Sequence, residues 1–371
     1  MLFIVGVALL LYVISNVLRG RRESGAEVEL AVNRRPYLSD QELESKKLDR
    51  VLRMAFLGIG IIAIVLPLYW LHEPSRQKNA THAFDQKFAQ LGEEQFAPAA
   101  NGGLGCADCH GGLKATGGTT QYTMTDASGR FVKSVTWKVP ALNTLMLRFN
   151  RAEIRYILVY GRPFSPMPAW GAAGGGPQTK QQIETLIDYI QSIQIGPKAA
   201  HQEVTQGVKT EMDAAKKAGH PYASEGQALF NLGYYSNVAG GAFSCGRCHT
   251  QGWSYSDATV GDTTGSHDDG NGAMGPNLTN GDTLRQFPGA VIGLQQQVDF
   301  VCQGSEDGKQ YGIHGQGTGR MPAFCQTKKY DPSTDDLAVQ LNVPTQQQGN
   351  PGSGMMTRDQ VQAIVQYERG L

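Results

Sequence analysis

Two short cysteine motifs constrain this chain more than any other feature of its sequence. The first reads Cys-Ala-Asp-Cys-His at residues 106–110, and the second reads Cys-Gly-Arg-Cys-His at 245–249. On a helical turn, residues three apart share a face, so both thiols can add to the vinyl groups of one haem while the next histidine reaches its iron. A redox dithiol or half of a zinc site needs no such histidine. The motifs predict two covalent haem c groups, on Cys106, Cys109 and His110 and on Cys245, Cys248 and His249.

A repeated tetrapeptide downstream of each motif supplies a candidate sixth iron ligand. Residues 167–170 read Met-Pro-Ala-Trp, and residues 321–324 read Met-Pro-Ala-Phe. A lone methionine more often fills a gap in a core, but the repeated proline-braced context favours an axial thioether in both places. We therefore expect Met167 and Met321 to be iron ligands. The weaker competitors are Met124, Met146, Met274 and His314.

Taken together, these motifs resemble those of the class I cytochromes c over residues 84–195 and 222–371. The resemblance implies that a proline carbonyl accepts the N–H of each axial histidine, and the matching residues are Pro140 and Pro276. Such a bond fixes the ring and raises its basicity. The fold it implies is mainly α, with two class I cytochrome c domains in tandem.

The resemblance also implies how each domain closes. Helices that begin at Thr179 and Thr357, each with a glutamine three residues later, fit a capping box and the last helix of each domain. In the family the first and last helices cross through a small residue and an aromatic pair, which Gly226, Phe230 and Tyr367 match. We expect a surface hairpin in the 111–139 insertion, around a turn at 126–129, and a linker at 196–221.

Two apolar runs near the start of the chain predict an N-terminal transmembrane helical hairpin. Helices at 1–18 and 54–71 approach the length needed to cross a bilayer. A cleaved signal peptide is the alternative for the first run, but its positive charge would precede the apolar stretch, whereas Arg19 and Arg21 follow it. The basic loop 19–53 is expected inside, which places everything after the second helix on the outer side.

The remaining two cysteines, Cys302 and Cys325, flank the Met321 loop on the side expected to be oxidising. We expect them to form a disulfide rather than remain free thiols. The bond would close a loop of 24 residues, counting both cysteines, for about 3 kcal/mol on the loop-entropy model.

Composition sets wide limits on function. The 371 residues carry 33 basic and 33 acidic side chains, so the net charge gives no case for a nucleic-acid binder. The chain has 40% hydrophobic residues overall and two dense apolar blocks near its start, so it is not a polytopic membrane protein.

Histidine–methionine ligation saturates iron, so the sequence predicts an electron relay, not catalytic by itself, on the outer face of a membrane. The chain is similar to the dihaem subunits of bcc-type quinol–cytochrome c reductases and of cbb3-type oxidases. That resemblance implies cytochrome b and Rieske partners, or a haem-copper oxidase, with a soluble or copper carrier as a further candidate. A dihaem peroxidase and a free-standing shuttle cytochrome are the alternatives.

Overall fold

The fold is mainly helical with one small antiparallel sheet, as expected. The structure is a computed structural model. It describes residues 11–16, 39–125, 128–162, 165–255, 268–305, 321–326 and 352–371. The chain divides into two compact units, Met1–Thr81 and His82–Leu371. Within the second unit we call residues 82–195 the first lobe and residues 196–371 the second lobe.

Ten helices and two strands are labelled here within the described ranges. Before α1 lie a short α-turn, Asp40–Glu42, and a π-turn, Leu43–Lys47, and single 3-10 turns connect several later elements. The helices are α1 Leu48–Phe96, α2 Cys106–His110, α3 Arg151–Tyr160, α4 Lys180–Ser192, α5 Pro197–Lys217, α6 Glu225–Phe230, α7 Gly246–His249, α8 Asp282–Gln286, α9 Ile292–Gln303 and α10 Arg358–Glu368. The strands are β1 Gly118–Thr125 and β2 Phe131–Val139.

One helical segment of the described chain, Glu44–Phe96, is long and apolar enough to cross a membrane. Its most apolar window has a mean hydropathy of 2.4, and none of that window is buried within the protein. The expected span at 54–71 lies inside this segment, which extends well beyond it at both ends. Of the other expected span, at 1–18, only residues 11–16 are described, and they are helical. Most of the 19–53 loop lies outside the described residues, and its last part is helical from Asp40.

The first lobe is built around the crossing of α1 and α4. Gly92 faces α4 so closely that a Cβ there would overlap the carbonyl oxygen of Thr185. One turn later, the buried ring of Phe96 lies 5.2 Å from that of Tyr189. The last turns of α1 therefore supply the first helix of this lobe, and α1 belongs partly to its core.

The second lobe repeats this crossing with α6 and α10. A Cβ at Gly226 would overlap the carbonyl oxygen of Ala363, and the rings of Phe230 and Tyr367 lie 5.6 Å apart. These contacts confirm the role expected for Gly226, Phe230 and Tyr367. The capping boxes at Thr179 and Thr357 are also both formed.

The expected linker at 196–221 is mostly a helix of the second lobe. Along α5, Ala200, Val204 and Val208 are buried in the core cluster of that lobe. Glu211, on the same helix, is fully buried. The other face of α5 is exposed and polar. The average composition of the segment is therefore polar and does not reveal the apolar stripe.

The 111–139 insertion forms the expected hairpin. β1 and β2 pair antiparallel, with Gly118 opposite Val139 and Tyr122 opposite Val135. Trp137 is 8% exposed, and its ring lies 5.2 Å from that of Tyr255 in the second lobe. The base of the hairpin is therefore covered by the second lobe. The first two residues of the expected turn, 126 and 127, lie outside the described ranges.

Candidate functional site

The first cysteine motif forms its own short helix, α2. Asp108 accepts a hydrogen bond from the backbone N–H of Ala99 at 3.0 Å, which ties the helix to the preceding turn. The helix ends at Gly111, which has a φ of 86°, a conformation that glycine adopts at little cost. The motif is therefore held on both sides, with Cys106 and His110 at the two ends of the helix.

His110 is oriented by a backbone carbonyl from the other end of the hairpin. Its Nδ1 lies 2.9 Å from the carbonyl oxygen of Pro140. A carbonyl oxygen only accepts, so Nδ1 carries the proton, and Nε2 of the neutral ring keeps its lone pair. Burial lowers the pKa of His110 to about 4, so the ring is neutral at physiological pH. A neutral imidazole with one free nitrogen is the form that binds a metal ion.

The second motif repeats this arrangement on α7. Nδ1 of His249 lies 2.8 Å from the carbonyl oxygen of Pro276. Gly275 lies against the ring, and a Cβ there would come 2.6 Å from Cε1 of His249. Desolvation also lowers the pKa of His249. The structure thus forms both histidine–proline bonds, with the same nitrogen committed in each.

The two Met-Pro-Ala loops are closed by an equivalent backbone hydrogen bond, and in both the methionine N–H donates to a serine hydroxyl, although the serines occupy different loop positions. In the first lobe, the N–H of Arg162 donates to the carbonyl of Met167 at 3.0 Å, and the Met167 N–H donates to the Ser165 hydroxyl at 3.2 Å. In the second lobe, the N–H of Ser305 donates to the carbonyl of Met321 at 3.2 Å, and the Met321 N–H donates to the Ser305 hydroxyl at 3.0 Å. Two backbone segments with little sequence in common therefore present a methionine in the same way.

A glycine that the sequence reasoning missed stands at the base of each loop. Gly161 and Gly304 follow α3 and α9 with φ of 72° and 71°. A Cβ at either position would lie 2.7 Å from the carbonyl oxygen of the methionine, Met167 or Met321. The glycines stand 6 and 17 residues before their methionines, and this unequal spacing hid the equivalence in the sequence.

In each lobe the methionine and a motif cysteine contact one core cluster. Met167 and Cys106 pack against the cluster of the first lobe, and Met321 packs against the cluster of the second lobe, which contains Cys245. Among the competing candidate ligands of the described residues, Met146 shares the first core cluster with Met167, whereas Met124 and Met274 do not. Met146 is 8% exposed within the first core, Met124 packs on the hairpin cluster, Met274 is 50% exposed, and His314 lies outside the described residues.

The motif thiols do not have the character of a redox dithiol. Burial raises the pKa of Cys106 to about 11 and also raises the pKa values of Cys245 and Cys248. Dithiol motifs that exchange disulfides instead depend on a thiolate with a lowered pKa. The four motif cysteines are unpaired, so their sulfur atoms are available for covalent attachment.

The disulfide between Cys302 and Cys325 is present, as predicted. It joins the end of α9 to the segment that carries Met321. Beside it, the N–H of Cys325 donates to the carbonyl of Cys302 at 3.2 Å. The second methionine loop is therefore fixed at its base by Gly304 and beyond its end by a covalent bond.

Sequence reasoning also gave no role to two arginines between the lobes. Arg148 is 6% exposed, and Arg247 stands between the cysteines of the second motif. The position of Arg247 inside the motif was the signal that could have drawn attention to it.

Each lobe contains two motif thiols, one histidine oriented by a proline carbonyl and one methionine on a loop closed by hydrogen bonds. Comparison with known proteins adds no relative: no family model, no curated protein and no solved structure matches this chain.

Proposed function

We propose that this chain is a membrane-anchored dihaem c-type cytochrome that relays electrons on the outer face of a membrane. The observation that carries the proposal is that both lobes contain the same arrangement of candidate iron ligands. In both lobes a histidine of the cysteine motif binds a proline carbonyl through Nδ1. In both lobes a glycine-based loop closed by an equivalent backbone hydrogen bond presents a methionine.

The residues present fit haem c in each lobe. Cys106 and Cys109, or Cys245 and Cys248, would hold the porphyrin through thioethers. When bound, haem supplies an iron that takes up and releases one electron at a time. His110 and His249 offer Nε2 to that iron because their other nitrogen is already bonded.

The two loop methionines distinguish an electron-transfer cytochrome from a catalytic haem protein. Met167 and Met321 are held on closed loops against the cores that contact the motif cysteines. A thioether from each loop would complete the six ligands of a bound haem iron and would leave no open position for a substrate such as peroxide. The arrangement therefore supports electron transfer over a dihaem peroxidase.

The proposal includes two membrane helices, with the haem lobes outside the cytoplasm. It rests on the apolar helical segment Glu44–Phe96 and on the apolar run at 1–18. The parent assembly we favour is a bcc-type quinol–cytochrome c reductase that feeds a terminal oxidase, with cytochrome b and Rieske protein as partners. The alternative assembly is a cbb3-type oxidase.

Covalent haem is the first test. The chain should be produced in a host that matures c-type cytochromes and weighed after acid-acetone extraction. We expect a mass increased by two haems, by one in the Cys106→Ala/Cys109→Ala variant, and by one in Cys245→Ala/Cys248→Ala. A wild-type mass equal to the bare chain would overturn the proposal.

Purification from its native membrane in mild detergent tests the assembly. Co-purification of a cytochrome b and an iron–sulfur protein supports the reductase, and a haem-copper subunit supports the oxidase. Purification alone would instead indicate an anchored shuttle.

A further inference from the structure

Two arginines cross the boundary between the lobes in opposite directions. From the first lobe, Nη1 of Arg148 donates to the carbonyl oxygen of Ala242 in the second lobe at 3.1 Å. From the second lobe, Nη2 of Arg247 donates to the carbonyl oxygen of Lys138 in the first lobe at 2.9 Å. Each lobe thus binds the backbone of the other through a guanidinium.

Both guanidinium groups are bonded to backbone carbonyls and to no acidic side chain among the described residues. Arg148 also donates to the carbonyl of Ala141 at 2.7 Å, and its buried Nε has no partner in this part of the chain. Arg247 also donates to the carbonyls of Gly240 and Gly241. Burial lowers the pKa of Arg148 to about 9 and that of Arg247 to about 10. Two weakly compensated positive charges therefore lie at the junction.

The backbone that Arg247 binds lies two residues before the proline that orients His110, the first candidate haem ligand. Lys138 lies near the end of β2, two residues before Pro140, and the carbonyl of Pro140 orients His110. The charges of Arg247 and Arg148 both act on His110, and both also act on Cys248. The junction therefore stands in electrostatic range of a ligand-bearing motif in each lobe.

The backbones of the two lobes are in direct contact at this junction. The N–H of Ala141 donates to the carbonyl of Ala239 across the lobes at 2.9 Å. Gly240 has a φ of 57°, and a Cβ there would overlap the carbonyl oxygen of Val139. A side chain cannot be added at this point without separating β2 from the second lobe.

We propose that Arg247 is a positioning residue for the first haem site, although it belongs to the second attachment motif. It fixes the end of the strand that leads to Pro140, and its charge would favour the reduced state of the first iron. The inference rests on the proposed function, and it makes the two redox centres interdependent through the lobe junction.

Hydrogen exchange of the Ala141 amide in the full-length, haem-loaded protein tests the positioning role by a measurement that does not depend on redox activity. In Arg247→Gln we expect this amide to exchange about tenfold faster or more, because the junction opens more often. Arg151→Gln is the control, since Arg151 is a buried arginine that pairs with Glu184 and Asp188 inside the first lobe. Unchanged exchange at Ala141 in Arg247→Gln would overturn the positioning role.

Spectroelectrochemistry of the haem-loaded protein tests the charge. The transition of the first haem is identified as the one that Met167→His moves. At a fixed applied potential near its midpoint, Arg247→Gln should lower the ferrous-to-ferric ratio of that haem about tenfold, because a nearby positive charge is lost. Arg247→Lys keeps the charge and should change the ratio no more than about threefold, while losing stability.

The outcomes separate the two proposals. A chain without covalent haem overturns the proposed function and the redox part of this inference together. A fully loaded Arg247→Gln protein with an unchanged first-haem ratio overturns the inference alone. If Arg247→Gln does not fold, Arg247→Met replaces it, because methionine also removes the charge and the donors but keeps an unbranched side chain. An unchanged Ala141 exchange rate and first-haem ratio in that variant have the same meaning.

Discussion

Individual buried residues carry most of the specific chemistry of this chain. His110 and His249 are neutral and oriented by prolines, and each methionine loop is closed by its own backbone bonds. Sequence motifs identified these residues because their chemistry requires fixed spacing. The glycines at the base of the methionine loops, Gly161 and Gly304, stand at unequal distances from Met167 and Met321, so no fixed spacing revealed them.

Replacement of Met321 by histidine should lower the potential of the second haem. Histidine keeps six ligands but exchanges a thioether for a more basic nitrogen that favours ferric iron. A spectroelectrochemical titration should show one transition moved strongly and the other, assigned to the haem of Met167, moved much less. Met355→Leu, at a fully buried methionine of the same lobe, is the control. If both potentials stay at wild-type values, Met321 is not the ligand.

Glu211 should prove to be a structural residue of the second lobe. Its carboxylate accepts hydrogen bonds from the backbone N–H groups of Gly233, Tyr235 and Ser236 and from the Tyr222 hydroxyl. Glu211→Gln replaces an acceptor oxygen with a donor and should lower the free energy of unfolding by about 3 kcal/mol, measured in urea. Asp213→Asn, exposed on the same helix, should have no effect. Equal stability of the two variants would contradict this role.

Glu368 should make stability depend on pH. Burial raises the pKa of its carboxyl to about 7, and Gln297 donates to it at 3.0 Å. Because the pKa is higher in the folded state, the stabilisation is complete below the unfolded pKa and is lost as pH rises towards 7. Across that pH range, the free energy of unfolding measured in urea should fall by about 3 kcal/mol less in Glu368→Gln than in wild type. Asp359→Asn should keep the wild-type profile, and a Glu368→Gln profile equal to wild type would argue against a protonated Glu368.

At the scale of elements, local signals predicted the structure better than average composition did. The capping boxes at Thr179 and Thr357 and the hairpin formed as expected, because each depends on residues a few positions apart. The extent of α1 and the burial of α5 were not predicted. Gly92 and Phe96 acquire their role only through contact with α4, almost a hundred residues away, which no local pattern records.

The disulfide that ties α9 to the Met321 segment should stabilise the second lobe. Replacing Cys302 and Cys325 together by alanine should lower the free energy of unfolding by about 3 kcal/mol, since the unfolded chain gains freedom. It should also weaken the near-infrared absorption band of thioether-ligated ferric haem. Reductant should lower the stability of wild type and leave that of the double variant unchanged. Alkylation of both thiols in the native protein would show that the bond is absent.

The whole chain should be oriented with its haem lobes outside the cytoplasm. The basic segment at 19–53 is expected to stay inside, because positive charge is retained on that side. Protease added to intact spheroplasts should remove both covalent haems from the membrane fraction, while a cytoplasmic marker protein remains uncut. Haem lobes that survive until the cells are lysed would show the opposite orientation.

The hydrogen bond between Ser305 and Met321 also affects which changes of sequence the protein can tolerate during evolution. It closes the base of a loop whose first-lobe counterpart, between Arg162 and Met167, is far shorter. Since each loop is closed at its base, the position of the methionine does not depend on how much chain lies between the bonded residues. The entropic cost of extra residues in such a loop rises only slowly with length. The sequence between Ser305 and Met321 can therefore lengthen at small entropic cost, which would let evolution, or an engineer, add new binding sequences beside the candidate ligand Met321.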